Sequence, residues 1–408
     1  MTVDPTTVRL AEISTFYSGG TPSKSKPEYW NGNIPWLTPK DMGRWGGATD
    51  AHVTREAVGN GTRMAPANAI FLTVRGMSLH NEIRLLKAER PMTFNQDIKA
   101  IVPNSGTDRS YLYYALVAKT ADLLRSVEAA GHGTGTLPTQ HLQNLPIPRF
   151  GATAEQSLGE LFSALDDKIE LNRRMNETLE RQARALFRDW FVDFGPTRAK
   201  QSCAPSYLAP DLWNLFPATL DAEGKPEGWE YAPLKELLVL QRGFDLPKGQ
   251  RTEGAFPVIA ASGPSGTHHE MRVRGPGVCT GRSGVLGGVY YVAEDFWPLN
   301  TSLWIKEYPN STPLHAFHIL QEIDIGAFNA GSAVPTLNRN HIHELAQVKP
   351  PMSVVVAFDD LAGQLYKLRE ANLQESRILA QTRDLLLPKL MSGEIRVRDA
   401  EKFVELVP

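Results

Sequence analysis

The sequence of 408 residues has only two cysteines, Cys203 and Cys279, and they are far apart in the chain. So few cysteines argue against a disulfide framework and against a CxxC-type zinc site, and they are typical of a cytosolic protein. No apolar run approaches the about 20 residues that a transmembrane helix needs, and the first residues lack the apolar core of a signal peptide. These absences predict a cytoplasmic protein.

Motifs for nucleotide or methyl-donor chemistry are also missing. The glycine-rich residues 281–288 (GRSGVLGG) have neither the GxxxxGK[ST] lysine nor the GxGxxG spacing of phosphate-binding loops. The sequence contains no NPPY-like or DPPY-like run. His268 and His269, and likewise His341 and His343, lack a HExxH context or a third ligand, so we expect core or surface histidines and no metal site.

One pattern does match a catalytic motif, because Asp211 after a proline, with Glu223 and Lys225, resembles a PD…ExK nuclease. That chemistry needs carboxylates held on adjacent strands around a metal ion. Here the residues lie in the Pro- and Gly-rich stretch 196–230, which predicts a linker. The nuclease hypothesis would require the three side chains to converge, and we keep it as a minor alternative.

Charge is distributed unevenly along the chain. Residues 1–150 contain 16 Lys and Arg against 12 Asp and Glu, whereas residues 201–350 contain 11 against 15. The overall composition, 42% hydrophobic and 22% charged, is that of a globular protein, and the length suffices for two or three domains. The basic excess of the first segment would suit a nucleic-acid partner without requiring one.

Two long segments, residues 158–194 and 358–391, show the hydrophobic period of amphipathic helices. A shift of 200 residues superimposes them and aligns an asparagine in the middle of each apolar stripe. Such an asparagine fixes the register of a coiled coil at some cost in stability. We therefore predict that the two helices pair with each other. The predicted pairing residues are Leu165, Asn172, Leu179, Leu186, Leu365, Asn372, Leu379 and Leu386.

The two globular parts of the chain repeat each other. Residues 234–247 (LKELLVLQRGFDLP) resemble residues 10–22 (LAEISTFYSGGTP), and residues 278–284 (VCTGRSG) resemble residues 71–77 (FLTVRGM). This alignment matches Arg282 with Arg75 and Asn300 with Asn95. A duplicated unit within one chain predicts a pseudo-twofold arrangement with antiparallel helices.

The ordered set of motifs resembles the specificity subunit of type I restriction-modification systems. The matching residues are SGGTP (18–22), IPWLTPKDM (34–42), ALFRDWFVDFGP (185–196), GRSGVLGGVYYVAEDFWPLNTSLW (281–304) and LLLPKLMSGEI (385–395). The resemblance covers nearly the whole chain. It implies two target recognition domains that each read one half of a split DNA sequence, paired helices that set the spacing and dock methyltransferase subunits, and no catalytic centre.

The predicted fold class is α+β, with two α/β-type target recognition domains joined by two long helices in an antiparallel coiled coil. The predicted segments are a first target recognition domain (1–152), a central helix (153–195), a linker (196–230), a second target recognition domain (231–352), a distal helix (353–395) and a C-terminal tail (396–408).

Base reading requires side chains with paired donors and acceptors, such as Arg for guanine and Asn or Gln for adenine, whereas Lys, Ser and Thr suit phosphates. The DNA-binding candidates of the first domain are Thr21, Ser23, Lys24, Lys26, Lys40, Arg44, Arg75, Asn95 and Gln96. Those of the second are Arg242, Lys248, Arg251, Arg272, Arg274, Arg282, Asn300, Asn338 and Arg339. Trp36 and Trp45 could stack on a base, although core packing is the more usual role of tryptophan.

The resemblance implies double-stranded DNA, two methyltransferase (modification) subunits and a restriction/translocase subunit as partners. S-adenosylmethionine, ATP and Mg²⁺ would belong to those partners, and the chain itself would need no cofactor. The acidic second domain predicts weak DNA binding by the isolated chain. The alternative from another class is a coiled-coil assembly scaffold whose globular ends bind proteins, and acidic loop faces would favour it.

Overall fold

The computed structural model describes residues 5–43, 47–130, 133–328, 335–396 and 399–400. The chain forms two compact units. The first unit consists of Met1–Arg174 and Asn372–Pro408, and the second of Met175–Ala371. Each unit has its own sheets and hydrophobic core, so the fold is α+β. None of the helices in the described ranges combines the length and the apolar character of a membrane span.

The first unit contains thirteen described strands and four short helices. The strands are β1 (Thr6–Arg9), β2 (Ser14–Ser18), β3 (Trp30–Leu37), β4 (Ala51–Val53), β5 (Arg63–Ala65), β6 (Ile70–Thr73), β7 (Arg75–Gly76), β8 (Leu85–Lys87), β9 (Met92–Phe94), β10 (Ile98–Pro103), β11 (Glu128–Ala130), β12 (Thr134–Thr136) and β13 (Pro146–Arg149). The helices are α1 (Leu10–Ile13), α2 (Arg109–Ala118), α3 (Thr120–Arg125) and α4 (Thr139–Gln143).

The central sheet of the first unit has the order β2-β10-β6-β8, and a second four-stranded sheet has the order β4-β3-β9-β5. Every residue of β6 is buried, as expected for an apolar run without alternation that is covered on both faces. Helix α2 begins where the Asp108 carboxylate accepts a hydrogen bond from the Tyr111 amide, 2.7 Å away. The small sheets β11-β12-β7 and β1-β13 complete the unit.

The second unit contains nine described strands and four short helices. The strands are β14 (Glu230–Pro233), β15 (Val239–Arg242), β16 (Phe256–Ala260), β17 (Gly263–His268), β18 (Gly277–Gly281), β19 (Val289–Val292), β20 (Trp297–Pro298), β21 (Ser302–Glu307) and β22 (Ala346–Lys349). The short helices are α6 (Gly195–Gln201), α7 (Pro210–Trp213), α8 (Pro313–Glu322) and α9 (Arg339–His343).

The strand order of the second unit repeats that of the first. The order β15-β21-β18-β19 has the same connectivity as β2-β10-β6-β8, and β14-β22 corresponds to β1-β13. The parallel pairing of β16 with β20 corresponds to that of β3 with β9. The internal repeat predicted from the sequence is therefore present in the topology. Residues 196–230 contain α6 and α7, and they bury Phe216 and Trp229 in the core of the second unit.

Two helices of 40 residues, α5 (Ala152–Phe191) and α10 (Met352–Met391), each contribute residues to both units. Within the first unit, Asp166 binds Arg383 and Asn172 binds Glu375, both at 2.7 Å. As the residue number rises along α5 it falls along α10, so the helices are antiparallel there.

Within the second unit, Arg369 binds Glu180 at 2.5 Å, which follows the same antiparallel order. All eight predicted pairing residues are buried or partly buried. The fully buried ones are Leu165, Asn172, Leu179, Asn372, Leu379 and Leu386, and the partly buried ones are Leu186 and Leu365.

Candidate nucleic-acid interface

A tight turn between β9 and β10, residues 95–97, gathers three segments of the first unit. The amide of Asn95 donates to the carbonyl oxygen of Leu37 (3.0 Å), and the amide of Val74 donates to that of Asp97 (2.8 Å). Gly19 lies so close to the carbonyl oxygens of the turn that an added Cβ would overlap them. We call residues 19–26, 74–77 and 95–97 the first loop cluster.

Five side chains of the first loop cluster are available at its surface. The Thr21 hydroxyl donates to Gln96 Oε1 at 2.6 Å and so joins the glycine loop to the turn. Gln96 is exposed, and its side-chain NH2 group is not used in this hydrogen bond. Lys24, Lys26 and Arg75 are also exposed, and the Lys26 ammonium lies 3.2 Å from the Tyr29 hydroxyl. Amide and cationic groups are thus presented together.

Other candidates of the first domain have local partners. Asn95 is buried, and its side-chain amide donates to the Asp97 carboxylate at 2.9 Å, which stabilises the turn. Lys40 is paired with Asp50 at 3.0 Å. The Ser23 hydroxyl lies 2.8 Å from that of Ser25. Arg44 and Trp45 lie outside the described residues. Trp36 is buried, and its indole N–H donates to Gly20 O (3.1 Å), which is core packing.

The second unit has the same backbone frame around residues 299–301. The amide of Leu299 donates to Ile259 O (2.8 Å), and the amide of Arg282 donates to Thr301 O (2.9 Å). An added Cβ at Gly243 would overlap the carbonyl oxygens of Pro298 and Leu299. We call residues 243–251, 282–285 and 299–301 the second loop cluster.

The side chains of the second loop cluster differ from those of the first. The Asn300 amide donates to the Asp245 carboxylate, at the place where Thr21 meets Gln96 in the first unit. The Arg282 guanidinium donates to the backbone oxygen of Asn300 at 3.2 Å. Arg242, which is exposed, lies 3.8 Å from Asp245. One frame therefore presents two different sets of hydrogen-bonding groups.

Some of the remaining candidates of the second domain are exposed, and the others contact neighbouring residues. Lys248 and Arg274 are exposed. Arg251 donates to Ser265 O at 3.1 Å, and the Arg272 guanidinium lies over the Trp297 ring at 4.6 Å. At the start of α9, Asn338 accepts a hydrogen bond from the Asn340 amide and caps the helix, while Arg339 donates to Leu240 O at 3.3 Å.

The register of the repeat differs by one residue from the sequence alignment. Val74 and Arg282 each donate to the turn and each accept from the amide of a leucine, Leu137 and Leu337. The structural equivalent of Arg282 is therefore Val74, and that of Arg75 is Ser283. By the same backbone bonds Asn95 corresponds to Leu299, and Asn300 corresponds to Gln96. The predicted matches Arg75–Arg282 and Asn95–Asn300 are wrong, because side-chain similarity does not report hydrogen-bond register.

Two residues in or beside these clusters were not predicted from the sequence, Asp245 in the second loop cluster and Lys99 in the neighbouring strand β10. An acidic side chain carries no signal of DNA binding in the sequence, because it repels phosphates. Lys99 donates to the Ser18 hydroxyl at 2.6 Å, and burial lowers the pKa of its ammonium group. Its strand neighbour Ser18 is equivalent to Arg242, so the two units place a cation at the same strand pair. The signal was a single charge within the apolar strand β10.

Two residues of the nuclease hypothesis, Glu223 and Lys225, lie in a turn of the linker and contact each other there. Lys225 contacts the carboxylates of both Asp221 and Glu223, and residues 220 and 226 form an antiparallel bridge around them. Asp211 lies in α7. Among the described residues no group of three or more His, Cys, Asp or Glu side chains is arranged to hold a metal ion.

Comparisons with known proteins agree with this architecture. A family model described as the type I restriction modification DNA specificity domain matches residues 3–181. The type I restriction enzyme MjaIX specificity subunit of Methanocaldococcus jannaschii is 26% identical over 96% of this chain and 93% of its own length. The EcoR124I/EcoR124II specificity subunit of Escherichia coli is 34% identical over 42% of this chain and 43% of its own.

A crystal structure of the type I restriction-modification S subunit from M. genitalium has the same fold. It matches with a TM-score of 0.57 at 17% identity and covers 94% of this chain and 95% of that one. The matched family model covers residues 3–181, and the sequence similarity to the MjaIX specificity subunit extends over nearly the whole chain. The chain is therefore similar, in sequence and in its duplicated α+β fold, to type I restriction-modification specificity subunits.

Proposed function

We propose that the chain is the DNA sequence-recognition subunit of a type I restriction-modification complex and binds an asymmetric, bipartite target. Residues 1–152 and 231–352 would be its two target recognition domains. One observation carries the proposal: the two units build the same loop frame, and the frame presents different hydrogen-bonding groups. Thr21 with Gln96 stands in one unit where Asp245 with Asn300 stands in the other.

Different groups on one frame are what two readers of different half-sites require. A glutamine or asparagine amide matches the donor and acceptor of adenine in the major groove, and a carboxylate accepts from the amino group of cytosine. Where the second cluster has the carboxylate of Asp245, the first has the neutral hydroxyl of Thr21. The two half-sites should therefore differ in sequence.

Exposed cations around the clusters would hold the phosphates. Lys24, Lys26 and Arg75 in the first loop cluster, Lys248 in the second, and Arg274 outside it are exposed. Asn95, Arg251, Asn338 and Arg339 would act differently, by holding the loops, since their side chains bind neighbouring loop or backbone groups. The base-reading side chains would keep their geometry only while these residues hold the loops.

The helix pair would set the distance between half-sites. A helix of 40 residues is about 60 Å long at 1.5 Å per residue. This exceeds one turn of B-DNA, about 34 Å. Exposed apolar side chains on the helices, such as Leu171 and Leu368, would contribute to docking of two methyltransferase subunits.

The chain would itself be non-catalytic and would direct those methyltransferase subunits, and a restriction/translocase subunit, to the DNA. S-adenosylmethionine, ATP and Mg²⁺ would be bound by these partners in the cytoplasm. Partner subunits would also supply phosphate contacts that the acidic second domain lacks, so the isolated chain should bind DNA weakly and with a strong salt dependence.

Methylome sequencing tests the proposal. Cells that express the chain with its cognate methyltransferase are compared with cells that lack this chain alone. A bipartite modified motif that disappears with the chain supports the proposal. An unchanged methylome, with the methyltransferase present and active, refutes it and favours a coiled-coil scaffold that binds proteins only.

A further inference from the structure

Each loop cluster carries one large apolar side chain that faces solvent. Met77 is 73% exposed and Val285 is 50% exposed. A single exposed hydrophobic residue is ordinary on a protein surface and needs no explanation. Two such residues at equivalent positions of two units with different sequences, however, require an explanation.

The backbone shows that the two places are equivalent. Val74 and Arg282 occupy the same position in the frame, because each donates to the turn and accepts from a leucine amide. Met77 and Val285 each follow three residues later. The residue just before each of them is a glycine with positive φ, Gly76 at 142° and Gly284 at 91°. A glycine with positive φ therefore precedes both side chains at the same position of the frame, although Met77 begins a 3-10 helix (Met77–His80) and Val285 lies in a bend.

The loops that hold these side chains are anchored. In the first unit, Gly76 pairs with Gly135, and Leu79, two residues after Met77, is buried. In the second unit, the Gly284 amide donates to Pro335 O at 3.0 Å, which is the equivalent pairing. An anchored loop loses little conformational freedom when its tip is covered, so an exposed apolar group on it is prepared for binding.

The neighbourhood defines what would cover them. Both loops are hydrogen-bonded to the turns that carry Gln96 and Asn300, the proposed base-reading amides. The apolar group that double-stranded DNA presents beside its hydrogen-bonding edges is the C5-methyl of thymine in the major groove. A methionine or valine side chain in the same loop cluster as a proposed base-reading amide is suited to reading that methyl group.

We propose that Met77 and Val285 are specificity-determining side chains, each of which packs on a thymine methyl group in its half-site. This inference rests on the proposed function and extends it to a named chemical group. It predicts that each half-site contains an A·T base pair whose thymine methyl is covered by the protein.

Uracil substitution tests the contact, because uracil differs from thymine only in the missing methyl. The assembled complex with its methyltransferase subunits is bound to duplexes carrying the target motif, with each thymine of both strands replaced in turn. Removing one buried methyl group should weaken binding roughly fourfold at one position in each half-site.

Variants then assign each position to a residue. In the Met77→Ala complex, the penalty for uracil should disappear in one half-site and persist in the other, and Val285→Ala should do the converse. Tyr231→Ala is the matched control, because Tyr231 is 51% exposed and lies in β14, outside both clusters. Its complex should retain both penalties. Circular dichroism and gel filtration confirm that each variant folds and assembles.

The outcomes distinguish failure of this inference from failure of the proposed function. A complex that prefers its target over a scrambled duplex but shows no uracil penalty overturns the inference and leaves the proposed function intact. A penalty that persists in both alanine variants also overturns it, since another residue then makes the contact. A complex with no preference for any sequence removes the proposed function and this inference with it.

Discussion

Asp166 on α5 connects α2 and α10 within the first unit, and its removal gives the sharpest stability prediction. Its carboxylate accepts from the Tyr114 hydroxyl and from the Arg383 guanidinium, both at 2.7 Å. The side chains of Asp166 and Arg383 are only 14% and 27% exposed. Burial, and then the Asp166 carboxylate, raise the pKa of Tyr114 far above its usual value, so the hydroxyl remains a donor.

The magnitude follows from the two hydrogen bonds. A hydrogen bond to a charged group contributes about 1.5 to 3 kcal/mol, and loss of Asp166 leaves a buried hydroxyl without its acceptor. Arg383 retains Asp384 at 2.8 Å, and the partial exposure of the ion pair weakens it further. We therefore expect Asp166→Ala to reduce the free energy of unfolding of the first unit by about 2 to 4 kcal/mol.

Hydrogen exchange in increasing urea measures this change within the first unit. Amides of α2 and of residues 372–391 should exchange at lower urea concentration in Asp166→Ala. The control is Asp167→Ala, one position along the same helix but exposed, which should change the free energy by about 0.5 kcal/mol or less. If the two variants exchange alike, the assigned role of the Asp166 contacts is wrong.

Three further predictions concern other parts of the chain. Gly243→Ala should abolish recognition of one half-site, because its Cβ would overlap two carbonyl oxygens, whereas the Cβ of Gly249→Ala in the same loop would meet open space. Methylation assays on hybrid targets compare the two variants, and equal activity would contradict the close approach of Gly243 to the turn. Asn172→Ala should lower the thermal midpoint, because it removes the 2.7 Å hydrogen bond that the side-chain amide donates to the Glu375 carboxylate, which contributes about 1.5 to 3 kcal/mol, and an unchanged midpoint would refute this. Burial, and then His318, lower the pKa of His315 to about 3, and burial lowers that of His318 to about 4. Both values lie below the unfolded value of about 6.5, so stability is lost as the pH falls below it, by roughly 2 kcal/mol per histidine at pH 5. Urea titrations at pH 7 and 5 should show a smaller loss for His318→Phe, and an equal loss would exclude this cause.

The helices were the most predictable part of the fold. Their apolar period and the aligned asparagines were visible in the sequence, and helices of 40 residues begin at Ala152 and Met352. The repeat was also visible, since motifs such as SGG and QRG mark the glycines that approach the turn. These features are local or periodic, and local patterns are what a single sequence reports best.

The register of the repeat and the roles of the loop residues were not predictable. Arg75 and Arg282 are the same residue type in aligned motifs, but the backbone hydrogen bonds show that Arg282 is equivalent to Val74, one position before Arg75. Asn95 looked like a reader, yet it is buried and stabilises its own turn. The register and the burial of a loop residue depend on backbone pairing between distant segments, which the residues next to it in sequence do not reveal.

Each loop cluster is proposed to read one half of a split DNA target. The most direct measurement replaces residues 1–150 with the corresponding segment of another specificity subunit and sequences the methylome of cells that contain the cognate methyltransferase. We expect a motif in which one half changes while the other half and the spacer length are retained. A motif that changes in both halves, or in neither, would contradict it.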